Sequence, residues 1–432
     1  MSIILDLKTV QVDYTLAFVQ APAENNTFVE MPRMFEMEGY VFELKKNLYG
    51  LSEAPKNFFL HLKKGLNDRG LVNSKNDHCL FFDDKIMVIC YVDDCIFLAK
   101  HKSDIDELID SLRNPKDKKL SPFMLNEEED YAGFLGIDIR ASKHVENAIE
   151  LLQVGLIDRI LSVLGLDGEN AKIRQEPAAA SPLGKEEEGA PRKEQWSYAS
   201  VVGMMLYLSS NSRPDIVFAV NQCARFTHCA NIHHEIALKR IGRYLKATRE
   251  QGLLLKPKHD LTLEMYADAD FAGLWNVEEH TDPISVKSRT GYIIYLGDVP
   301  VTWHSKLQTE IATSTMHAEY IALSTGMREL LPVKTILEEI CEVLQIERDN
   351  DTRVTKVFED NEGALKLATA PLNRITPQSK HFAVKYHWFR EKLEQHNIEI
   401  LHITTDMQKA DIFTKGLVGM EYKQKRKMLN GW

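Results

Sequence analysis

The stretch "YVDDCIFLAK", Tyr91–Lys100, sets two adjacent acids, Asp93 and Asp94, inside an apolar run that starts at Ile86 as "IMVICYVDDCIFLA". At about 4 Å and an effective dielectric of about 20, two carboxylates repel by roughly 4 kcal/mol. A buried strand tolerates such a pair only if the chain turns there into water or if a cation sits between the acids. The two readings are compatible, because a tight hairpin holds two carboxylates rigidly beside a divalent ion.

A third acid lies upstream: "VQVDYTLAF", Val10–Phe18, places Asp13 in a strand-like alternation. Three carboxylates from two neighbouring strands suit a two-metal phosphoryl-transfer site, where the ions stabilise the attacking and leaving oxygens. Around these acids, short apolar strands ("YVFELKKNLYGL", "CLFFDD", "GFLGIDIR") alternate with helical patterns ("APKNFFLHLKKGLNDRG", "DIDELIDSLRN"), an α+β layer. The stretch 168–195, "GENAKIRQEPAAASPLGKEEEGAPRKEQ", lacks periodicity and is expected as a flexible linker, with Glu186–Glu188 solvated. Helices follow it, from "YASVVGMMLYLSSN" to "HEIALKRIGRYLKAT". Between Val201 and Asp260 they carry nine Lys or Arg against four Asp or Glu. Lys239, Arg240, Arg243, Lys246 and Arg249 are read either as a solvated helix face or as contacts to a phosphate backbone.

From about Leu261 a second set of acids appears. Asp268 ends the strand "LEMYADADFAG", and a hairpin "KSRTGYIIYLGDVPVTWHSKLQ" follows. Glu319 lies on the helix "TSTMHAEYIALSTGMRELL", Asp360 ends the strand "TKVFED", and Asp411 sits in "KADIFTK". Each alone is more often a surface acid or a cap. Together, at strand ends and on a helix face, four can meet at one edge of a mixed sheet.

In order and spacing, "QVDYTLAF", "LKKNLYGLSEAPKNF", "YVDD" and "FLGIDI" resemble the reverse transcriptase of copia-type LTR retrotransposons. "YADADFAG", "AEYIALS", "EDNEGALKLA", "SKHFAVKYHWFRE" and "ADIFTKGL" resemble the ribonuclease H region of the same Pol polyproteins. The resemblance covers nearly the whole chain. It implies an α+β multidomain fold: a reverse transcriptase palm over residues 1–144, a helical thumb or connection over 145–258 containing the linker, and a ribonuclease H-like α/β domain with a five-stranded mixed sheet over 259–432. It further implies that Asp13, Asp93 and Asp94 bind metal for polymerisation, and that Asp268, Glu319, Asp360 and Asp411 bind metal for hydrolysis of RNA in RNA–DNA hybrids. Each site would take two Mg²⁺ ions, or Mn²⁺. Phe18 would lie under the nucleotide sugar, and Gly50, within Leu48–Pro55, in the loop backing template and nucleotide. "FLG", Phe134–Gly136, would grip the primer end. The implied partners are RNA template, DNA primer, RNA–DNA hybrid and dNTPs. The chain starts shortly before Asp13, so the family's basic fingers layer is expected to be largely missing and polymerisation impaired. The alternative is a non-catalytic relic or a repurposed nucleic-acid binder.

The bulk properties of the 432 residues, 44% hydrophobic and 27% charged, fit a globular chain of several domains. A net charge of −10 excludes a surface positive all over, so nucleic acid would be met by local patches or through ions. No apolar run reaches the roughly 18 residues of a membrane span, no signal peptide is evident, and the six cysteines show no C-x-x-C pairing; an intracellular protein is expected, in a cytoplasmic particle or the nucleus. His233 and His234 beside Cys229 are expected as helix surface rather than zinc ligands. His317 is not expected to replace a ligand, since it faces away from Glu319 on a helix. "KQKRK", Lys423–Lys427, is either a nucleic-acid or localisation patch or a solvated helix end, and His381 and His387 are candidates for hybrid contact or proton transfer. Trp196, Trp275 and Trp388 are expected as packing residues.

Overall fold

The computed structural model describes residues 1–23, 26–128, 132–186, 188–258, 260–371 and 386–432. His381 and part of the "SKHFAVKYHWFRE" block lie outside them. The chain forms two compact units, Met1–Leu135 with Thr335–Glu347, and Gly136–Lys334 with Arg348–Trp432. Residues 145–258 therefore share a unit with most of the C-terminal half.

The first unit is built on a six-stranded sheet ordered β2-β3-β4-β5-β1-β6: β1 Lys8–Asp13, β2 Val72–Asn73, β3 Leu80–Phe82, β4 Ile86–Tyr91, β5 Asp94–Ala99 and β6 Asn126–Glu128. Helices α1 (Ala54–Asn67) and α2 (Lys102–Arg113) cover one face. In α1 the apolar residues recur every fourth position (Ala54, Phe58, Leu62, Leu66), and in α2 at Ile105, Leu108, Ile109 and Leu112, so each buries a single stripe. Against them pack Val10, Val12, Phe81, Val88 and Phe97 of the strands. On the other face, Leu80, Phe82, Met87 and Leu98 meet Ile336, Ile340 and Val343. A sheet covered on both sides needs continuous apolar strands rather than alternating ones, which explains the unbroken run in β4 and β5.

The second unit has a five-stranded mixed sheet ordered β12-β11-β10-β13-β14. A smaller antiparallel ladder, β7 (Ile137–Ala141), β8 (Ile149–Leu152) and β9 (Leu253–Leu255), lies apart from it. In the large sheet β10 (Leu263–Asp270), β11 (Arg289–Leu296) and β12 (Val299–Leu307) run antiparallel, while β13 (Thr355–Glu359) and β14 (Ile398–His402) run parallel to β10. Helices α3 (Val154–Val163), α4 (Tyr198–Asn211), α5 (Val217–Ala224) and α6 (Ile232–Ala247) share one core with Tyr266, Ile293 and Tyr295 of the sheet. Further helices are α7 (Thr315–Val343, whose residues from Thr335 on belong to the first unit), α8 (Glu362–Thr369), α9 (Asp411–Thr414) and α10 (Gly419–Asn430).

Among its described residues the stretch 168–195 carries no helix or strand, yet it is a strap tied down at several points and not a free linker. Pro177 is buried, and the Arg174 amide donates to the Arg243 carbonyl at 3.3 Å. Arg240 and Arg225 donate to the carbonyls of Glu176 (3.3 Å) and Leu183 (2.9 Å). His234, expected on a helix surface, is fully buried here: its Nδ1 accepts from the Asn231 amide, closing a capping box, and its Nε2 bonds the Gly184 carbonyl at 2.8 Å. These contacts absorb the basic helices too. Lys239 pairs with Glu194 at 2.6 Å, Arg240 approaches Glu176 at 3.9 Å, and Arg249 makes a fork to Asp158. Composition points to a mobile segment because its turn-forming residues hide the tertiary partners of its carbonyls; Glu186 and Glu188 are exposed, as expected.

Trp196 stacks on Tyr198 under the Arg192 guanidinium and Trp388 donates to Ser324, both half-buried packing roles, whereas Trp275 stacks on His280 but stays exposed. No described helix is long and apolar enough to cross a membrane.

Candidate active sites

In the first unit, β4 and β5 form a hairpin in which Tyr91 faces Asp94, leaving Val92 and Asp93 as a two-residue turn. Val92 adopts φ 58°, a left-handed conformation that is costly for a β-branched side chain. The turn is held against β1 by the Tyr14 amide, which donates to the Asp93 carbonyl at 3.0 Å. Asp13 lies directly across from Asp94 in the β1–β5 ladder. Like charges opposite one another destabilise a sheet. Burial first, then Asp93, raises the Asp13 carboxyl above its usual range; burial, Asp93, Asp13 and Glu128 do the same to Asp94. Among the described residues no basic side chain pairs with any of the three, so the repulsion is left for something else to relieve. A divalent cation fits that donor set.

Phe18 sits on a helical turn, Ala17–Gln20, entered through Leu16 at φ 52°. Its ring lies 4.6 Å from Tyr49 and 6.4 Å from Phe58. Gly50, φ 101°, needs glycine for its backbone, and open space lies where a Cβ would be. Three buried amides, not anticipated from the sequence, fix these segments. Gln20 donates to the Thr15 and Met124 carbonyls at 2.8 and 2.7 Å and accepts from the Met124 amide at 2.9 Å. Asn47 donates to the Ala21 and Pro22 carbonyls and accepts from Asn57 at 3.0 Å. Buried amides with this many partners lock one geometry.

In the second unit the acids gather at the carboxyl ends of two parallel strands. Tyr266 of β10 is level with Phe358 of β13, so Asp268 and Asp360, each two residues further on, leave the same edge side by side. Glu319 arrives from the start of α7, which is anchored by Ser314 accepting from the His317 amide and by Gln308 donating to the Ala318 carbonyl at 2.9 Å. One ligand oxygen each from Asp268, Glu319 and Asp360 lies within 4.8 Å of the others; among the described residues no other group of three or more acids, histidines or cysteines converges as closely. Asp13, Asp93 and Asp94 are not drawn together to that degree, nor is Asp411.

Charges 4.8 Å apart repel by roughly 3–4 kcal/mol per pair at an effective dielectric of about 20. Asp268 is 1% exposed and Glu319 5% exposed. Burial, with Asp411 and Asp360 adding to it against Lys415, pushes the Asp268 carboxyl up to about 6. Burial and the neighbouring acids hold Glu319 well above the carboxylate range, and among the described residues its Oε2 has no hydrogen-bond partner. Such a triad accommodates full ionisation only around a cation, so these residues fit a divalent ion.

Asp411 is treated differently. Its Oδ1 is 2.5 Å from Lys415 Nζ and its Oδ2 2.9 Å from Lys425 Nζ. Lys425, from the "KQKRK" run read as patch or solvated end, is 4% exposed and also donates to the carbonyls of Thr405, Asp406 and Gln408. Lys415 was visible in principle as the residue four positions after Asp411, helical spacing for an ion pair. Glu359 was missed as well. It is fully buried, its Oε2 has no hydrogen-bond partner among the described residues, and burial followed by Asp360 and Asp268 raises it well above the carboxylate range against a bond from the Asn361 amide. His317 accepts from the Thr313 amide at 3.2 Å and is outside the acid group, and His387 bonds the Tyr320 hydroxyl at 2.9 Å.

Gly291, opposite Asp268, lets α9 approach the sheet. A Cβ there would stand 2.8 Å from both Phe413 Cβ and Thr414 Cγ2 and 3.2 Å from the Ala410 carbonyl oxygen. Gly291→Ala is expected to lower unfolding free energy by about 1–3 kcal/mol through overpacking. Denaturant titration measures this; an unchanged midpoint would mean α9 retreats at no cost.

Residues 2–177 match the family model described as reverse transcriptase (RNA-dependent DNA polymerase). Over 414 residues, 94% of this chain and 26% of the relative, the sequence is 31% identical to the "Retrovirus-related Pol polyprotein from transposon RE1" of Arabidopsis thaliana. Over 428 residues it is 30% identical to the corresponding polyprotein from transposon TNT 1-94 of Nicotiana tabacum, covering 95% of this chain and 30% of that one. The chain thus spans between a quarter and a third of these curated relatives. A solved structure, LC11-RNase H1 isolated from compost, matches 35% of this chain and 92% of its own at 16% identity and a TM-score of 0.25. With 94% of its length aligned to plant retrotransposon Pol polyproteins and its first part matched by the polymerase family model, the chain belongs to the reverse transcriptase region of copia-type retrotransposon Pol polyproteins.

Proposed function

We propose that the second unit hydrolyses the RNA strand of RNA–DNA hybrids and that the first carries the acids of an RNA-directed DNA polymerase, acting on RNA template, DNA primer and dNTPs. The observation that carries the reading is the convergence of Asp268, Glu319 and Asp360 within 4.8 Å at the sheet edge, the first two buried and Asp360 half-buried, with Lys415 alone ion-paired to them among the described residues. On this reading Asp268, Glu319, Asp360 and Asp411 hold Mg²⁺ or Mn²⁺ at one site, and Asp13, Asp93 and Asp94 at the other. When bound, the ions activate the attacking oxygen and neutralise charge on the phosphate. The protein's part is to position ligands. Parallel β10 and β13 set the spacing of Asp268 and Asp360, α7 brings Glu319 in from the side, and Thr405 orients Asp360 through a 2.9 Å bond. In the first unit the strained Val92 turn presents Asp93 and Asp94 beside Asp13. Phe18 and Gly50 would border the nucleotide, the former excluding the ribose hydroxyl. As functional segments, 1–144 would serve as palm, 145–258 as thumb or connection and 259–432 as nuclease.

The competing reading, a nucleic-acid binder without catalysis, leans on the basic helices. Lys239, Arg240 and Arg249 are engaged by Glu194, Glu176 and Asp158 of the same chain, which leaves that platform weak.

The test uses the purified chain with a labelled RNA–DNA hybrid and with a primed template, both in Mg²⁺. Asp360→Asn is expected to lose hybrid cleavage and keep its primer extension; Asp94→Asn is expected to do the reverse. Hybrid cleavage unaffected by Asp360→Asn would overturn the nuclease assignment.

A further inference from the structure

Two lysines hold Asp411, and they are not alike. Lys425 is fixed: its side chain is 5% exposed, and its ammonium group is surrounded by three loop carbonyls and Asp411 Oδ2. Lys415 is the opposite case, a side chain 38% exposed at the mouth of the site. Its Nζ lies 2.5 Å from Asp411 Oδ1 and 3.6 Å from Asp268 Oδ1, so it bridges the two acids. The other oxygen of Asp268 accepts from the Thr414 hydroxyl.

We propose that Lys415 is a built-in, displaceable counter-cation that occupies the ground between Asp268 and Asp411 in the ion-free chain. The chain then takes its first divalent ion at Asp268, Glu319 and Asp360, and a second, shared by Asp268 and Asp411, only when Lys415 swings out. This rests on the reading of these acids as metal ligands. Two observations argue for it. Asp411 stands outside the three-acid group and has both oxygens occupied by ammonium groups, whereas Glu319 Oε2 has no hydrogen-bond partner among the described residues. The four carboxylates less the two lysines also leave a deficit that one divalent ion fills, so a second ion entering with both lysines in place would meet like charge. A lysine on a flexible four-carbon stem at the solvent boundary can leave, while Lys425, enclosed by carbonyls, keeps Asp411 in position.

The test counts ions rather than turnover. Chelator-treated full-length chain, with the first-unit acids silenced by Asp93→Asn and Asp94→Asn in every sample including the one called wild type below, is titrated with Mn²⁺, and free Mn²⁺ is followed by electron paramagnetic resonance. The wild type is expected to bind one ion tightly and a second at least about tenfold more weakly. Lys415→Met is expected to tighten the second by about tenfold with the first little changed, and Lys415→Arg, which keeps the cation, to behave as the wild type. Lys415→Gln replaces the Met variant should the latter fail to fold. Equal second-ion affinity in the wild type and the neutral variants, with Asp268→Asn still abolishing binding, overturns the role of Lys415 and leaves the metal site standing. Mn²⁺ binding indifferent to Asp268→Asn overturns the metal site and this inference together.

Discussion

Asp268→Asn is expected to lower divalent-ion-dependent hybrid cleavage by about a thousandfold or more, corresponding to roughly 4 kcal/mol of transition-state stabilisation. No other acid of the site is shared so widely: it belongs to the three-acid group, bonds Thr414 and lies 3.6 Å from Lys415. Asparagine keeps its shape and removes its charge. Because burial and neighbouring acids already push the Asp268 carboxyl up to about 6, the neutral side chain suits the ion-free fold. The melting temperature in chelator is therefore expected not to fall. A residual cleavage rate within tenfold of the wild type, or a collapse of the fold, would show that Asp268 serves structure rather than chemistry.

Arg213→Ala is expected to cost about 3–5 kcal/mol of folding stability, because it leaves a buried carboxylate without its partner. Arg213 is 1% exposed and makes a two-bond fork to Asp215, Nε to Oδ1 at 2.9 Å and Nη2 to Oδ2 at 2.8 Å. It also donates to Thr248, and the Tyr244 hydroxyl donates to Asp215 Oδ2 at 2.6 Å. The Tyr422 hydroxyl, from α10, reaches the Asp215 carbonyl at 3.2 Å and so ties the C-terminal helix to the turn before α5. Burial alone would raise Asp215, yet the guanidinium holds it below the usual carboxylate range. A carboxyl depressed in the folded state adds stability above its unfolded pKa and withdraws it as pH falls through the folded value, so the wild type should lose this contribution only in strong acid. Urea titration at neutral pH measures the loss. The double change Arg213→Met with Asp215→Leu should be milder than Arg213→Ala, since no orphaned charge remains. A loss below about 1 kcal/mol for Arg213→Ala would mean water or another cation replaces the guanidinium.

The two predictions touch features of unequal visibility. Asp268, Asp360 and Glu319 stand out in sequence because each follows a recognisable periodic element, and strand, strand and helix of that order imply a common edge. Arg213 and Asp215, in "SRPDI", look like ordinary turn residues. Only the closing of α4, α6 and α10 around them makes the pair a buried one. The same limit applies to Glu359, whose neighbour Asp360 drew the attention, and to Gln20, Asn47 and Asn57, which are plain polar residues until their carbonyl partners are known.

What the amino-acid order determined by itself is local. The apolar run on both sides of Asp93 and Asp94 calls for a turn or a cation between the acids, the apolar spacings of α1 and α2 require helices with one buried stripe, and the acids at strand ends follow from where those strands stop. What the tertiary structure decided is which charges meet. Lys415 and Lys425 take Asp411 away from the acid group, Asp158 of α3 claims Arg249, and Glu176 and Glu194 claim Arg240 and Lys239, turning an apparent linker into a strap. The physical reason is that an ion pair depends on distance in space across the fold, whereas periodicity and turn chemistry depend only on neighbours along the chain.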